Sequence, residues 1–103
     1  MIKRIVKMIF QPEQVPVFLD IFETSKNLIR QFPGCQHVEL LRLSEANNVF
    51  FTFSLWENEQ ALEAYRQSEL FRTTWSKTKV LFADKPEAWS LKLVSTPDTS
   101  DVQ

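Results

Sequence analysis

Between Val49 and Phe71 the chain reads VFFTFSLWENEQALEAYRQSELF, and this stretch restricts the fold more than any other. Apolar and β-prone residues run to Trp56, the polar trio Glu57-Asn58-Glu59 interrupts them, and a helical spacing begins at once with Ala61, Leu62 and Tyr65. A strand therefore delivers a tryptophan to the start of a helix. That strand is apolar on both faces, with Phe51, Phe53 and Leu55 opposing Phe50 and Trp56, so its sheet needs cover on both sides.

The rest of the chain fits around this junction. Ile2 to Phe10 alternates as a strand, with Ile2, Arg4, Val6, Met8 and Phe10 on one face and Lys3, Ile5, Lys7 and Ile9 on the other. Gln11-Pro12 breaks it, and Val15, Phe18, Leu19, Phe22, Ile29 and Phe32 recur at helical spacing over Glu13 to Phe32. Pro33-Gly34 stops that helix. A second strand spans Cys35 to Leu43, and the turn Ser44 to Asn48 folds it into a hairpin with Val49 to Trp56.

Asn58 caps a helix to Arg66, and Ser68 caps its continuation to Phe82, where Phe71, Trp75, Thr78 and Phe82 form the inward stripe. Pro86 opens a last strand, Glu87 to Val94, with Trp89, Leu91 and Leu93 on one side. The order predicts an α+β, ferredoxin-like βαββαβ domain over residues 1–94, with a four-stranded antiparallel sheet and both helices on one face. The other face calls for a second copy of the sheet. Residues 95–103, rich in Ser, Thr, Asp and Pro, are expected to be a flexible tail.

Composition narrows the function classes. Twelve Lys and Arg against thirteen Asp and Glu give a net charge of −1 without any block of like charge, which argues against a nucleic-acid partner. No apolar run approaches the roughly 20 residues that cross a bilayer, and the start carries no signal-peptide core, so no membrane partner and a cytoplasmic location are expected. One cysteine, Cys35, makes no internal disulfide and fits a reducing compartment. With a single His and a single Gly, one chain builds neither a Cys/His zinc site nor a glycine-rich phosphate cradle. Nine Phe and three Trp point instead to a crowded aromatic core or an apolar ligand cavity.

Pro33-Gly34-Cys35 leading into a strand, the hairpin of Leu40 to Leu55, and Trp56 followed by ENEQALEAYRQSELF together resemble the antibiotic biosynthesis monooxygenase family. The resemblance covers Met1 to Val94 and implies a homodimer whose two sheets close into an α/β barrel. It also implies an apolar cleft between helices and sheet in each protomer. There relatives oxidise aromatic compounds without metal or flavin cofactor, the deprotonated substrate itself reducing dioxygen. Trp56 matches the family's strand-closing Trp, Tyr65 an aromatic or His position in the next helix, and Phe71 the Phe that follows. Haem-degrading members need a His where Trp75 stands and an Asn on the first strand, where Ile5, Val6, Lys7 and Met8 offer no amide. Autoinducer-processing members place His at Arg66 and Leu70.

The resulting expectation is a cofactor-independent monooxygenase of a small aromatic or quinol-like compound, with His37, Tyr65 and Trp56 as catalytic candidates. Phe50, Phe71, Trp75 and Arg66 are candidates for binding the substrate. His37 alone has an unperturbed pKa near neutrality and shares a face with Glu39; it serves either as a base or as a strand histidine at a dimer interface. On a regular strand Cys35, two residues earlier, shares that face too. The alternative is a non-catalytic, small-molecule-binding dimer that keeps the fold without the chemistry.

Overall fold

The computed structural model, which describes residues 1–97, is built on four strands: β1 (Ile2–Ile9), β2 (Cys35–Arg42), β3 (Val49–Trp56) and β4 (Glu87–Lys92). They form one antiparallel sheet in the order β2-β3-β1-β4. A 3-10 turn (Pro12–Gln14) leads into α1 (Val15–Arg30), and α2 (Glu59–Arg66) and α3 (Glu69–Lys79) follow β3. The ferredoxin-like order of strands and helices is the one the sequence predicts.

Local chemistry explains the boundaries. Pro16 sits in the first turn of α1, where its missing N–H removes no helical bond. Asn58 Oδ1 accepts from the Ala61 N–H at 2.8 Å, and Ser68 Oγ accepts from the Phe71 N–H at 3.1 Å, so each of the two short helices has its own cap. The second helical region ends at Lys79 rather than Phe82 because the chain turns back onto β1. The Gln11 N–H donates to the Leu81 carbonyl at 3.0 Å, and the Ala83 N–H to the Ile9 carbonyl at 2.8 Å. β4 ends at Lys92 rather than Val94 because its partner Ile2 is the first residue of β1. The flexible tail expected over 95–103 falls, from residue 98 on, outside the described residues.

Among the described residues Gly34 is the one with positive φ, at 89°, and a Cβ there would run into Ala61 Cβ. Both the turn after α1 and the close approach of α2 therefore require glycine. Its carbonyl accepts from the Glu57 N–H at 2.8 Å, tying the start of β2 to the end of β3.

Strand alternation, read through the register, divides the sheet into two faces. Ile2, Arg4, Val6 and Met8 of β1 and Phe50, Thr52, Ser54 and Trp56 of β3 face the helices. Lys3, Ile5, Lys7, Phe51, Phe53, Leu55, Trp89 and Leu91 face the other way. β2 departs from simple alternation: Cys35 pairs with Trp56 and His37 with Leu55, which leaves Gln36 as a bulge. Cys35 and His37 consequently lie on opposite faces, contrary to the expectation from a regular strand.

Candidate functional site

The helix-facing residues of β3 run large, small, small, large: Phe50, Thr52, Ser54, Trp56. Those of β1 put Arg4 and Val6 between Ile2 and Met8. Large side chains at the strand ends build two separate apolar cores, one from Met8, Phe10, Val15, Phe18, Phe50 and Leu81, the other from Ile2, Cys35, Trp56 and Leu62. Val6, Thr52 and Ser54 at mid-strand are too short to meet the helices above them. The result is a cavity of about 350 Å³ between the two cores, floored by Val6, Thr52 and Ser54 and roofed by residues of α1, α2 and α3. That volume lies at the lower end of the roughly 300–1,000 Å³ range of ligand sites.

Aromatic rings wall one side of it. Trp56 stacks on Tyr65 with centroids 4.9 Å apart; Tyr65 meets Phe71 edge-on at 5.3 Å; and Phe71 stacks on Trp75 at 5.8 Å. Such contacts hold each ring in place beyond simple burial. Trp56 Nε1 donates to Ser54 Oγ at 3.0 Å, so the indole is fixed at both its face and its edge. Burial, with a smaller contribution from the nearby Cys35, pushes the Tyr65 pKa up to about 12. Tyr65 is therefore a neutral phenol across the ordinary pH range. Its hydroxyl has no hydrogen-bond partner among the described residues and is free to donate to a ligand.

Two cations mark the polar end of the cavity. Arg4 and Arg66 both line it, and both also line the shallow groove outside it with Glu59, Glu63 and Ser90. Arg4 Nη1 donates to Ser90 Oγ at 3.0 Å and has no carboxylate partner among the described residues. Burial lowers the Arg4 pKa first and the Arg66 charge lowers it further, while Glu63 opposes them. Arg66 pairs with Glu63 at 3.2 Å on the exposed side of α2.

Of the residues singled out by sequence, Trp56, Tyr65, Phe71, Trp75 and Arg66 come together around the cavity. Phe50 does not reach it; fully buried, it packs against Phe10 and Phe18 in the core behind the wall. His37 is on the far side of the sheet, its Nε2 2.5 Å from Glu39 Oε1 and its ring 6.1 Å from that of Phe53. The bulge at Gln36 sets this side, so His37 is no base for a molecule held in the cavity of its own protomer. Cys35 is buried in the core with Ile2, Trp56 and Leu62 rather than lining the cavity, and that burial raises its thiol pKa. Arg4 escaped the sequence reading, although a lone charge in the otherwise apolar inward set of β1 is a usable signal. No group of three His, Cys, Asp or Glu that could hold a metal occurs among the described residues. No helix there is long and apolar enough to cross a membrane.

An antiparallel ferredoxin-like domain with an aromatic cavity between sheet and helices defines the structural class. Within that class the chain belongs to the antibiotic biosynthesis monooxygenase family, whose sequence pattern matches residues 1–76. A solved structure described as an antibiotic biosynthesis monooxygenase aligns with a TM-score of 0.87 at 19% identity, over 92% of this chain and 100% of that one. A candidate antibiotic biosynthesis monooxygenase of Caulobacter crescentus aligns at 0.85 and 20% identity, over 91% of this chain and 90% of its own. A conserved protein of Methanosarcina mazei aligns at 0.85 and 16% identity, over 88% and 90%. At these identities the likeness is one of fold. No curated protein matches the sequence.

Proposed function

We propose that the chain is a cofactor-independent monooxygenase that oxidises a small aromatic or quinol-like compound in this cavity and works as a homodimer. The observation that carries the reading is the cavity of about 350 Å³ walled by Trp56, Tyr65, Phe71 and Trp75, in a chain of a monooxygenase family. In this reaction an acidic carbon or phenol loses a proton, its anion passes an electron to dioxygen, and the radical pair combines to a peroxide that eliminates water. For an anthrone-type substrate a CH2 becomes C=O and the second oxygen atom leaves as water, so the substrate supplies all four electrons. Trp56, Phe71 and Trp75 hold the ring and exclude water, the neutral Tyr65 hydroxyl donates to the developing oxyanion, and Arg66 faces the negative charge.

With His37 outside the cavity, the substrate ionises through its own acidity, releasing its proton to water at the cavity mouth. The open sheet face, with Trp89, Leu91 and Leu41 exposed, is covered by a second copy of the chain. The single buried Cys35 suits the reducing cytoplasm.

Oxygen uptake recorded with a panel of anthrones and hydroquinones tests the assignment. Uptake above buffer with at least one compound, lowered about tenfold or more by Phe71→Ala, is expected; no uptake with any of them counts against it. The position of His37, which leaves no histidine among the residues lining the cavity, favours a second reading as a non-catalytic binder. A ligand that raises the melting temperature with no oxygen uptake selects that reading.

A further inference from the structure

We infer that Arg4 and Arg66 form an anion-selective end to the cavity, so that its ligands are aromatic compounds carrying one negative group, a carboxylate or a phenolate. This rests on the reading of the cavity as a site for aromatic ligands. Three observations meet at this one place. Most of the other residues around the cavity are apolar or carry only a hydroxyl, and the two guanidinium groups are the cations among them. Among the described residues Arg4, half-buried on a strand, is held only by a neutral hydroxyl, that of Ser90. Its cationic form is disfavoured by burial and by Arg66, so an arriving anion relieves a repulsion already present.

The carboxylates nearby do not neutralise the pair. Glu63 bonds both Arg66 and Gln67 through exposed contacts of the weak surface kind, and its favourable effect on the Arg4 cation is smaller than the opposing effects of burial and Arg66. Glu59 lies 3.8 Å from Lys92. Glu87, the one acidic residue lining the cavity, pairs across the sheet with Lys7, in the register that faces away from the helices. One positive charge is thus left over beside an apolar chamber. A guanidinium fork matches a carboxylate through two N–H groups, and in a partly dry site such bonds are among the strong ones. The same pair would lower the pKa of a bound phenol, which fits a cavity lined by no histidine.

Isothermal titration of the full-length protein with 2-naphthoate and with its neutral analogue 2-naphthamide tests the inference. Wild type is expected to bind the naphthoate about 10–100-fold more tightly, the span that one charge-assisted contact of about 1.5–3 kcal/mol supplies. Arg4→Gln and the exposed-site variant Arg66→Gln should each cut that preference at least fivefold while leaving naphthamide within about twofold of wild type. Arg4→Lys should restore part of it, and Ser90→Ala should keep it, which separates ligand binding from a structural bond to Ser90. Melting curves confirm that each variant is folded. A wild-type protein with no preference for the acid, including one that binds neither probe, overturns the inference. So does a preference that survives intact in either glutamine variant. Oxygen uptake plays no part in the titration: selective binding without turnover upholds the anion site and sinks the monooxygenase reading, and turnover without anion preference does the reverse.

Discussion

On the helix-covered face of the sheet, Ile2, Met8, Phe50 and Trp56 are buried to within 4% of full enclosure. On the opposite face Trp89, Leu91 and Leu41 remain 43%, 45% and 47% exposed. Both faces come from the same alternating strands, and both are rich in large apolar side chains. They differ in what lies over them. Three helices cover the first face but stand too far from its short mid-strand residues to close the core, and a cavity is left there. Among the described residues nothing covers the second, and its large apolar side chains stay exposed. A sheet with one roofed and one bare face therefore presents two different surfaces: an aromatic-walled cavity on the roofed side and an exposed apolar face on the bare side.

The largest expected effect breaks the bare face. Trp89→Glu places a charge where two sheets would meet, and sedimentation should show a dimer falling to a monomer near 12.1 kDa, with far-UV circular dichroism preserved. A wild-type protein that sediments as a monomer at micromolar concentration removes the interface half of the comparison. Next is the roofed face. Trp56→Ala empties a site whose ring is 1% exposed and stacked on Tyr65, and should cost about 3–5 kcal/mol in chemical unfolding. A loss under about 1 kcal/mol means that the second core is not held by this ring.

Thr52→Leu sharpens the comparison by filling the cavity floor. Stability should hold or rise by about 1 kcal/mol while binding of a two-ring aromatic weakens tenfold or more, the exchange expected when a void is kept for function. Unchanged binding places the ligand elsewhere. The smallest effect is in alkaline solution. Tyr65 has a folded pKa of about 12 against an ordinary value of 10.0, so its contribution to stability is complete below pH 10 and is lost as the pH rises towards 12. Wild type should lose more stability over that window than Tyr65→Phe, and equal slopes rule out a buried phenol.

The fold was legible because its signals are local and agree with one another. Asn58 and Ser68 declare their caps, Pro33-Gly34 declares a stop, and the alternation in β1 and β3 assigns every residue to its observed face. The site was only half legible. Trp56, Tyr65, Phe71 and Trp75 follow from helical spacing after the strand, and they do line the cavity. Phe50 misses it, because which aromatic lines a void depends on the sizes of its neighbours rather than on its own. The signal for the void is the pair of small residues Thr52 and Ser54 between Phe50 and Trp56. His37 was misplaced by one extra residue: the bulge at Gln36 puts Cys35 and His37 on opposite faces of the sheet, and no turn residue announces it. Arg4 is visible in sequence only as an exception to the apolar inward set.

The most direct test of the central claim tracks oxygen itself. Wild-type protein, an anthrone-type substrate that it consumes, and isotopically labelled dioxygen are incubated with a chelator and without reductant, and product mass and oxygen uptake are recorded together. One dioxygen consumed per product, with one labelled atom in the product carbonyl, is the predicted result. A product oxygen drawn from water, or uptake that begins only when metal or reductant is added, contradicts it.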